Sequence, residues 1–343
     1  MIDTAKSYFY MTDLVFDRLQ DHKALQRAGT KLYGNKFYLK HPFGLQNPSV
    51  RFDLDKGYFC IETSLTKLFQ GHNVAGTNQL EFLCLKTANL IYQQLGLRFT
   101  PQERRLVQDR GIRLGRLDAT CGFSMSSPQA VSDTLEAVWE QLRAEGFNWS
   151  AYGGAKFESV YSQQHSTRVS NKFYYKGGEL LTKKIPAGIV AWNRVWEYAR
   201  TLLRFEVTWR AKELKDLDLE YADQWTPQLV KEKISERLKM FKFQGVIKQR
   251  LDTLSLEGLN DSCSMYYVLW TQGANLRQHQ YNKTLDRARK HLLQEHQIDI
   301  YRSAQSGSDI PLCDLLSPEN AYFVAPKRLS RSGAIFGMAQ SLR

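Results

Sequence analysis

Long apolar runs are absent from this chain of 343 residues, and the N-terminus has no basic stretch followed by an apolar one. A membrane-spanning helix needs roughly 20 consecutive apolar residues, and a secretory signal peptide needs both of those N-terminal regions. We therefore expect neither kind of segment, and we expect the protein to work in a cytoplasm.

Cysteine is scarce as well, with five residues that are widely separated and form no CxxC. This usage predicts reduced, mostly buried thiols rather than disulfides or a zinc site. The chain also lacks a GxxxxGK[S/T] phosphate loop, the HExxH and GxSxG motifs, and any His-x-His pair. ATP-driven activity and the two-histidine metal site of many single-strand endonucleases are therefore not expected.

What the chain has in excess is positive charge, +12 with a pI of about 9.4. Such a charge favours a polyanionic partner. Nucleic acid is a better match than a membrane, because no basic amphipathic anchor is visible. An ordinarily basic protein is the alternative.

The order of elements after residue 112 indicates the fold. Strands are predicted at residues 113–124, 156–162, 168–176 and 202–210, with helices from Pro128 to Gly146 and over 189–200. This β-α-β-β-α-β order is the split βαβ or ferredoxin-like unit of the α+β class, in which strands one, three and four adjoin in the order 4-1-3-2. We expect residues 1–222, with extra N-terminal strands and helices, to form one domain, and residues 223–343 a smaller, mainly helical module.

Alternation along three of these strands separates apolar from polar side chains. Asp118, Tyr174 and Glu206 all fall on the polar sides. Helices cover one face of such a sheet, so the polar sides should share the open face. We therefore expect these three groups to meet there.

A phenol and two carboxylates could cleave a phosphodiester. Tyrosine is a poor nucleophile at neutral pH unless cations stabilise the phenolate, and Lys176 is placed to do so. Asp118 and Glu206 could hold Mg²⁺ or Mn²⁺, with Glu62 as a possible third ligand and His72 as a further candidate. His72 could equally fix a turn after the helix-ending Gly71.

Cationic side chains on the same strands could bind the flanking phosphates. The candidates are Arg116, Arg168, Arg204 and Arg210. Simple surface pairs of Asp118 with Arg116 and of Glu206 with Arg204 are an alternative. Tyr175 is the rival nucleophile, although alternation turns it inward.

Further along, a basic helix is predicted over residues 231–250, and two helices around a tight turn over 266–273 and 282–295. In the last of these an apolar stripe leaves basic side chains outward, which suits a helix-turn-helix binding DNA. The outward residues are Lys283, Arg287, Arg289 and Lys290. A solvated amphipathic helix is the alternative. The basic residues 327–331 could be a mobile phosphate contact.

Four blocks of the chain resemble the gene-two replication initiators of filamentous phages, which start rolling-circle replication. They are LFQGHNVAGT at residues 68–77, GRLDAT at 115–120, FYYKGGEL at 173–180 and LRFE at 203–206. The resemblance covers roughly residues 58–210 and, more weakly, 260–302. The chain departs from the family pattern in having Tyr175 beside Tyr174, where that pattern has an aliphatic residue.

The resemblance implies a replication-endonuclease fold with Tyr174 as the nucleophile and Lys176 beside it. Plasmid initiators with a similar progression of motifs support Asp118 and Glu206 as metal ligands. Such a protein would nick one strand of the double-stranded replicative form at the origin, stay on the 5′ phosphate, and later rejoin the displaced single strand. It would use the helicase and polymerase of a bacterial host, and could oligomerise on DNA.

Two functions from other classes stay open on the residues alone. A non-catalytic DNA-binding regulator would need only the basic C-terminal module. An RNA-binding protein would use the open sheet face. Neither of them requires Tyr174 to react.

Overall fold

The computed structural model describes residues 1–144, 149–152, 158–182, 188–244, 246–247, 259–271, 274, 276, 282–296, 298–301, 310–324 and 329. The chain divides into two compact units, Met1–Phe243 with Leu316–Arg343, and Gln244–Leu315. The sequence predicts a domain boundary between residues 222 and 223, and this boundary stays a prediction.

Strands of the first unit form one large antiparallel sheet. Its order within the described residues is β2-β3-β4-β1-β5-β9-β8-β7-β6. The strands are β1 (Ile2–Tyr10), β2 (Lys36–Tyr38), β3 (Ser49–Asp53), β4 (Tyr58–Ser64), β5 (Ile112–Ser124), β6 (Trp149–Tyr152), β7 (Ser159–Ser162), β8 (Val169–Tyr175) and β9 (Leu202–Arg210). The predicted α+β class with a large antiparallel sheet is confirmed.

Helices connect these strands. They are α1 (Asp13–Gln20), α2 (His22–Arg27), α3 (Leu65–Gln70), α4 (Leu80–Gln94), α5 (Pro101–Asp109), α6 (Pro128–Ala144), α7 (Lys176–Leu181), α8 (Trp192–Ala199), α9 (Ala211–Asp216) and α10 (Pro227–Lys239), with a short 3-10 turn at Ala222–Gln224. Helix α10, which was expected in the second module, belongs to the first unit.

The strand order differs from the predicted one. Strand β9 lies between β5 and β8 and pairs antiparallel with both. The first and third strands of the predicted split βαβ arrangement, β5 and β8, are therefore not neighbours. The order 4-1-3-2 was therefore wrong. Local alternation fixes which face a side chain takes but not which strands pair, because pairing is decided by long-range contacts.

The apolar sides of β5, β8 and β9 face helices α6 and α10. Phe173 and Phe205 stack with ring centroids 4.6 Å apart, and both rings meet Phe241 edge-on. The apolar sides therefore form the core, as the alternation predicts.

The polar face is covered, contrary to expectation. Helix α3 ends at Gly71, which takes the left-handed conformation with φ of 79°, a geometry that glycine adopts at little cost. The chain then passes over the polar face, where the Asn73 side chain bonds to Asp3 and Lys176. Asp118, Tyr174 and Arg204 consequently lie buried. Alternation of polar and apolar residues could not predict that this face is covered, because a loop rather than a helix covers it.

The second unit has a core of its own between helices α11 (Asp261–Thr271) and α12 (Lys283–His296). The residues of this core are Cys263, Tyr267, Trp270, Leu276, Leu285, Ala288, Leu292 and Ile300. A two-stranded pairing of β10 (Val246–Ile247) with β11 (Ile310–Pro311) and the short helix α13 (Leu312–Leu315) complete the described part of this unit. The predicted apolar stripe of α12 is buried as expected.

All five cysteines are free, four of them buried and Cys313 exposed, as the sequence predicts. None of the helices that the structure describes has the length and apolar character of a membrane-spanning helix. Within the basic segment 327–331, the structure describes only the apolar residue Leu329. It is buried in a hydrophobic cluster that also contains Met1 and Leu202.

Candidate active site

Three neighbouring strands bring Asp118, Tyr174 and Glu206 to one face of the sheet. Glu206 on the middle strand β9 pairs with Thr120 on β5, and so lies diagonal to Asp118. Same-face diagonal neighbours have Cα atoms about 7–8 Å apart. On β8, Lys172 lies opposite Glu206, and Tyr174 follows two residues later on the same face. The groups that the sequence proposed therefore do assemble.

Tyr174 is only 4% exposed, and its hydroxyl donates a hydrogen bond to Oε2 of Glu206 at 3.4 Å. Cations surround its ring, with Nζ of Lys172 4.3 Å and the Arg204 guanidinium 5.5 Å from the centroid. Burial nevertheless raises the pKa of Tyr174 well above its usual value of 10.0, against the opposing effect of Arg204. The phenol is thus held protonated, with its hydroxyl directed to Glu206.

Carboxylates crowd this face. Burial, reinforced by the charges of Asp118 and Asp3, raises the pKa of Glu206 to about 7. Burial also raises the pKa of Asp118, despite the adjacent Arg116. Both carboxyls are therefore harder to ionise than surface carboxyls, chiefly because they are buried.

Arg116 binds Asp118 through two hydrogen bonds. Its Nε and Nη2 donate to the two carboxylate oxygens at 2.8 and 2.7 Å, and its Nη1 donates to Glu62 at 3.0 Å. Such bidentate geometry is the strong form of this interaction. The pairing of Asp118 with Arg116 that the sequence left as an alternative exists, but it includes a buried carboxylate rather than two surface groups.

Asp3 is a member of the cluster that sequence reasoning missed. It accepts hydrogen bonds from Ser64 and Asn73, both at 2.7 Å, and lies 3.6 Å from Nη2 of Arg204. A register shift in the β1–β5 pairing between Ile2 and Ala5 accompanies this placement. Alternation along β1 gives no sign of such an irregularity.

Arg204 lies in the interior rather than on an open face. Its Nη1 donates to the Asn73 carbonyl at 2.5 Å and its Nη2 to Oγ1 of Thr120 at 2.7 Å. These bonds and Asp3 compensate its buried charge. The expectation that Arg204 lies open to flanking phosphates was wrong as to placement, because the chain after Gly71 covers it.

Lys176 also lies elsewhere than expected. Strand β8 ends at Tyr175, so Lys176 begins helix α7 and is 0% exposed. Its Nζ donates to Oδ1 of Asn73 at 2.7 Å and to Glu179, and it is 5.7 Å from the Tyr174 ring centroid. Burial, followed by repulsion from Arg204, lowers the pKa of Lys176 to about 7. Lys176 thus holds the segment that contains Asn73 and covers the polar face, rather than binding the phenol oxygen.

Tyr175 points away from the carboxylates. It is half-buried rather than fully inward, and its hydroxyl donates to the Arg200 carbonyl at 2.8 Å. This hydroxyl is therefore held at a backbone position outside the acidic cluster.

His72 is buried within the turn that follows Gly71. Its Nδ1 accepts the backbone N–H of Val74 at 3.3 Å. In neutral histidine the proton then resides on Nε2, so neither ring nitrogen offers a lone pair to a metal in this arrangement. This geometry favours the turn-fixing alternative.

The remaining predicted arginines, Arg168 and Arg210, are more exposed than Arg204. Arg168 is exposed and ion-paired with Glu213 and Asp216. Arg210 is half-buried and donates to Ser170 at 3.2 Å. Both lie nearer to solvent than Arg204, and their binding to phosphates stays a prediction.

In the second unit, helix α12 presents the basic residues that the sequence predicted. Lys283, Arg287 and Lys290 are directed outward. Arg289 instead makes two hydrogen bonds to Asp299, at 2.7 and 3.0 Å. Its guanidinium is therefore engaged within the unit, and contact of this helix with DNA stays a prediction.

Within the part of the chain that the structure describes, no three His, Cys, Asp or Glu side chains converge in a metal-binding arrangement. Glu62 is directed to Arg116, and His72 to its own turn. Asp118 and Glu206 lie on one face as two carboxylate donors, although both oxygens of Asp118 accept hydrogen bonds from Arg116. Mg²⁺ is commonly bound through one or two carboxylates, with water and phosphate oxygens completing its shell. The donor chemistry of this pair fits such an ion.

Asn73 was also missing from the predicted site. Lys172 lies on the polar side of β8 with Tyr174, as alternation predicts. Asn73 lies within the Gln-Gly-His-Asn block, but its contacts depend on the fold of the covering segment.

The family model for the N-terminal region of the gene-two replication-associated protein matches residues 52–228, more than half of the chain. The chain belongs to this family. The matched region contains Asp118, Tyr174 and Glu206, and the resemblance to gene-two-type initiators is confirmed.

A relative in this family is the gene-two replication-associated protein of Enterobacteria phage I2-2. It is 25% identical over 244 residues, which cover 70% of this chain and 69% of the relative. Among solved structures, the rolling circle replication initiator protein from Geobacillus stearothermophilus is similar, with a TM-score of 0.37 and 14% identity over 74% of this chain and 88% of that chain.

Proposed function

We propose that the protein initiates rolling-circle replication by nicking one strand of double-stranded DNA at a phage origin, with Tyr174 as the nucleophile. Membership of the gene-two replication-associated family supports the role in replication. The observation that carries the chemistry is the hydrogen bond from the Tyr174 hydroxyl to Glu206, on the same face as Asp118.

In the cleavage step the phenol oxygen of Tyr174 attacks the scissile phosphorus. A tyrosine O–P bond forms as the P–O3′ bond breaks, the phenolic proton passes to the Glu206 carboxylate, and the 3′ oxygen takes up a proton from water. A carboxylate with a pKa of about 7 is a suitable acceptor near neutral pH. The 5′ phosphate stays on Tyr174, and attack by a 3′ hydroxyl reverses the step, so rejoining needs no ATP.

Asp118 and Glu206 would hold Mg²⁺ or Mn²⁺, which when bound would neutralise charge on the phosphate and stabilise the leaving oxygen. The placement of the two carboxylates as same-face diagonal neighbours on β5 and β9 supports this part of the proposal. Arg116 pairs with Asp118 and keeps that group in place.

Lys172 and Lys176 have different roles in this proposal. Lys172 lies over the Tyr174 ring and would offset negative charge near the phenol oxygen. Lys176 is a positioning residue, since it contacts Asn73 and Glu179 rather than the reacting oxygen.

Access to Tyr174 requires movement. At 4% exposure the side chain does not meet a phosphodiester. The segment containing Asn73, which is bonded to Asp3, Lys176 and Arg204, would have to shift to admit DNA. Its opening would also expose Arg204 to the flanking phosphates.

The partners follow from this activity. Origin DNA and the displaced single strand would bind the first unit, and the basic face of α12 would contact duplex DNA. A host helicase and polymerase would act on the nicked product.

The test is incubation of supercoiled origin plasmid with the protein and Mg²⁺, followed by denaturing electrophoresis and peptide mapping. The proposal predicts open circles with protein attached to a 5′ end through Tyr174. A non-catalytic regulator would shift the mobility of the plasmid without cutting it, and that outcome would overturn the proposal.

A further inference from the structure

The outer strands β1 to β4 carry aromatic and cationic side chains that the cleavage step does not use. The register of the pairings places them on one face of the sheet, because residues directly opposite each other share a face. We call this the outer face, formed by Lys6, Tyr8, Lys36, Tyr38, Arg51 and Tyr58.

At its inner end, two tyrosines form a pair. Tyr8 and Tyr58 meet edge to face with centroids 5.4 Å apart, and Nζ of Lys6 lies 5.6 Å from the Tyr8 centroid. Gly115 on β5 leaves room for this arrangement, since a Cβ there would lie 2.8 Å from the Tyr8 ring. The Tyr8 ring thus lies across the neighbouring strand, where a larger residue would displace it.

At the sheet edge a second group repeats this combination. Tyr33 and Tyr38 meet edge to face at 5.6 Å, and Nζ of Lys36 lies 5.6 Å from the Tyr38 centroid. Tyr38 is 42% exposed. A ring that is open to solvent beside a cation is available for stacking.

The cations of this face are only partly balanced, because its two carboxylates, Glu62 opposite Lys6 and Asp53 on β3, are ion-paired with Arg116 and Lys56. Lys36 lies directly opposite Arg51, and like charges in that position destabilise a sheet. Among the described residues, no carboxylate lies within ion-pair distance of either. Such a pair is better accommodated when a polyanion binds across it.

The outer face is continuous with the candidate active site. Lys6 on β1 pairs with Arg116 on β5, and Arg116 binds Asp118. From β5 to β2 there are four strand steps of about 4.8 Å, so the outer face extends roughly 19 Å from the acidic cluster. That length accommodates about six stacked nucleotides at about 3.4 Å each.

We propose that the outer face binds single-stranded DNA that flanks the cleaved phosphate. The exposed rings of Tyr33 and Tyr38 and the half-buried rings of Tyr8 and Tyr58 can stack on unpaired bases, whereas paired bases in a duplex offer no free face. The inference rests on the proposed function for the identity of the strand, but DNA binding can be measured without cleavage.

The experiment measures binding of fluorescein-labelled oligonucleotides by anisotropy, with full-length Tyr174→Phe protein so that no strand is cut. The aromatic variant is Tyr8→Leu/Tyr58→Leu, its conservative partner is Tyr8→Phe/Tyr58→Phe, and the charge variant is Lys36→Gln/Arg51→Gln. The matched control is Arg104→Gln/Arg105→Gln, which removes two exposed cations from α5.

We expect the aromatic variant to bind single strands at least tenfold more weakly, with the phenylalanine variant close to wild type and duplex affinity changed less than threefold. The charge variant should lower the slope of log K against log salt by about 1.4, since each phosphate contact on a single strand contributes about 0.7. Shortening the oligonucleotide by six nucleotides on one side should weaken binding to the parent protein but not to the charge variant.

Unchanged single-strand affinity in both variants would overturn the inference, as would an equal loss in the α5 control, or tighter binding of RNA than of DNA of the same sequence. If the leucine variant does not fold, as judged by circular dichroism, the charge variant decides alone. Absence of nicking by the wild-type protein would sink the proposed function and leave these binding results intact.

Discussion

Arg204 and Asp3 form a buried ion pair across the candidate active site, with 3.6 Å between Nη2 and Oδ2. The pair joins β9 to the first residues of β1, and Asn73 binds both members. The segment containing Asn73, strand β1 and strand β9 are thus held together by one polar network. In a low-dielectric interior such a network is stable only when every member is satisfied.

Replacing Arg204 should therefore cost stability. Arg204→Met would leave Asp3 buried beside other carboxylates without its cation, at a cost of about 3–5 kcal/mol in free energy of unfolding. Urea denaturation measures this loss, with Arg210→Met as the half-buried control at about 1 kcal/mol or less. Equal losses in the two variants would show that the Arg204–Asp3 ion pair contributes no more to the free energy of unfolding than a half-buried arginine does.

Tyr174→Phe should abolish the covalent adduct while retaining the fold. The variant loses only a hydrogen bond of 3.4 Å to Glu206, worth at most about 1.5 kcal/mol. Tyr175→Phe, which loses a bond to the Arg200 carbonyl, should keep the adduct. Gel analysis of labelled DNA tests both, and an adduct in the first variant that is missing from the second would assign the nucleophile to Tyr175.

Glu206→Gln should make the protein more stable at alkaline pH relative to the wild type. The folded protein holds the Glu206 proton with a pKa of about 7, against 4.5 for the usual carboxyl. The folded state therefore binds more protons between these values, and wild-type stability falls as pH rises from about 4.5 to 7. The glutamine variant lacks this loss, which should be worth roughly 1–3 kcal/mol above pH 7, at about 1.4 kcal/mol for each pH unit.

Unfolding in urea at pH 5 and pH 8 measures this difference. The advantage of the glutamine variant should be larger at pH 8. The same advantage at both pH values would mean that the Glu206 proton is not held in this way.

Cleavage itself should accelerate with pH. If Glu206 accepts the phenolic proton, the rate of adduct formation should rise with pH as Glu206 ionises, and binding of Mg²⁺ should move this rise to lower pH because a cation favours the ionised carboxyl. Single-turnover rates between pH 5.5 and 8.5 give the profile. A flat profile in the wild type, or the same rise in Glu206→Gln, would remove Glu206 from the proton transfer.

Asp118→Asn should raise the Mg²⁺ concentration needed for cleavage by tenfold or more, because it removes one of two charged oxygen donors. Glu62→Gln is the matched control, since Glu62 contacts the same Arg116 from an exposed position. Metal titration of nicking separates them. Identical titrations for Asp118→Asn and the wild type would exclude Asp118 as a ligand.

Much of the site could be predicted from alternation alone. Asp118, Tyr174 and Glu206 take the polar sides of their strands because the residues between them are apolar and enter the core. The placement of Lys176 failed because β8 ends one residue earlier than predicted, and the side chain then follows helical rather than strand geometry. Asp3 was missed because it lies within an irregular stretch of the β1–β5 pairing, between Ile2 and Ala5, that has no signal in the sequence.

By itself the sequence determined the face that each strand residue takes and the class of the fold, since both follow from the local period of apolar side chains. Only the tertiary structure decided that β9 lies between β5 and β8, that the segment after Gly71 covers the acidic cluster, and that Arg204 is interior. Those features depend on contacts between residues far apart in the chain, whose free energies belong to the assembled packing rather than to any local pattern.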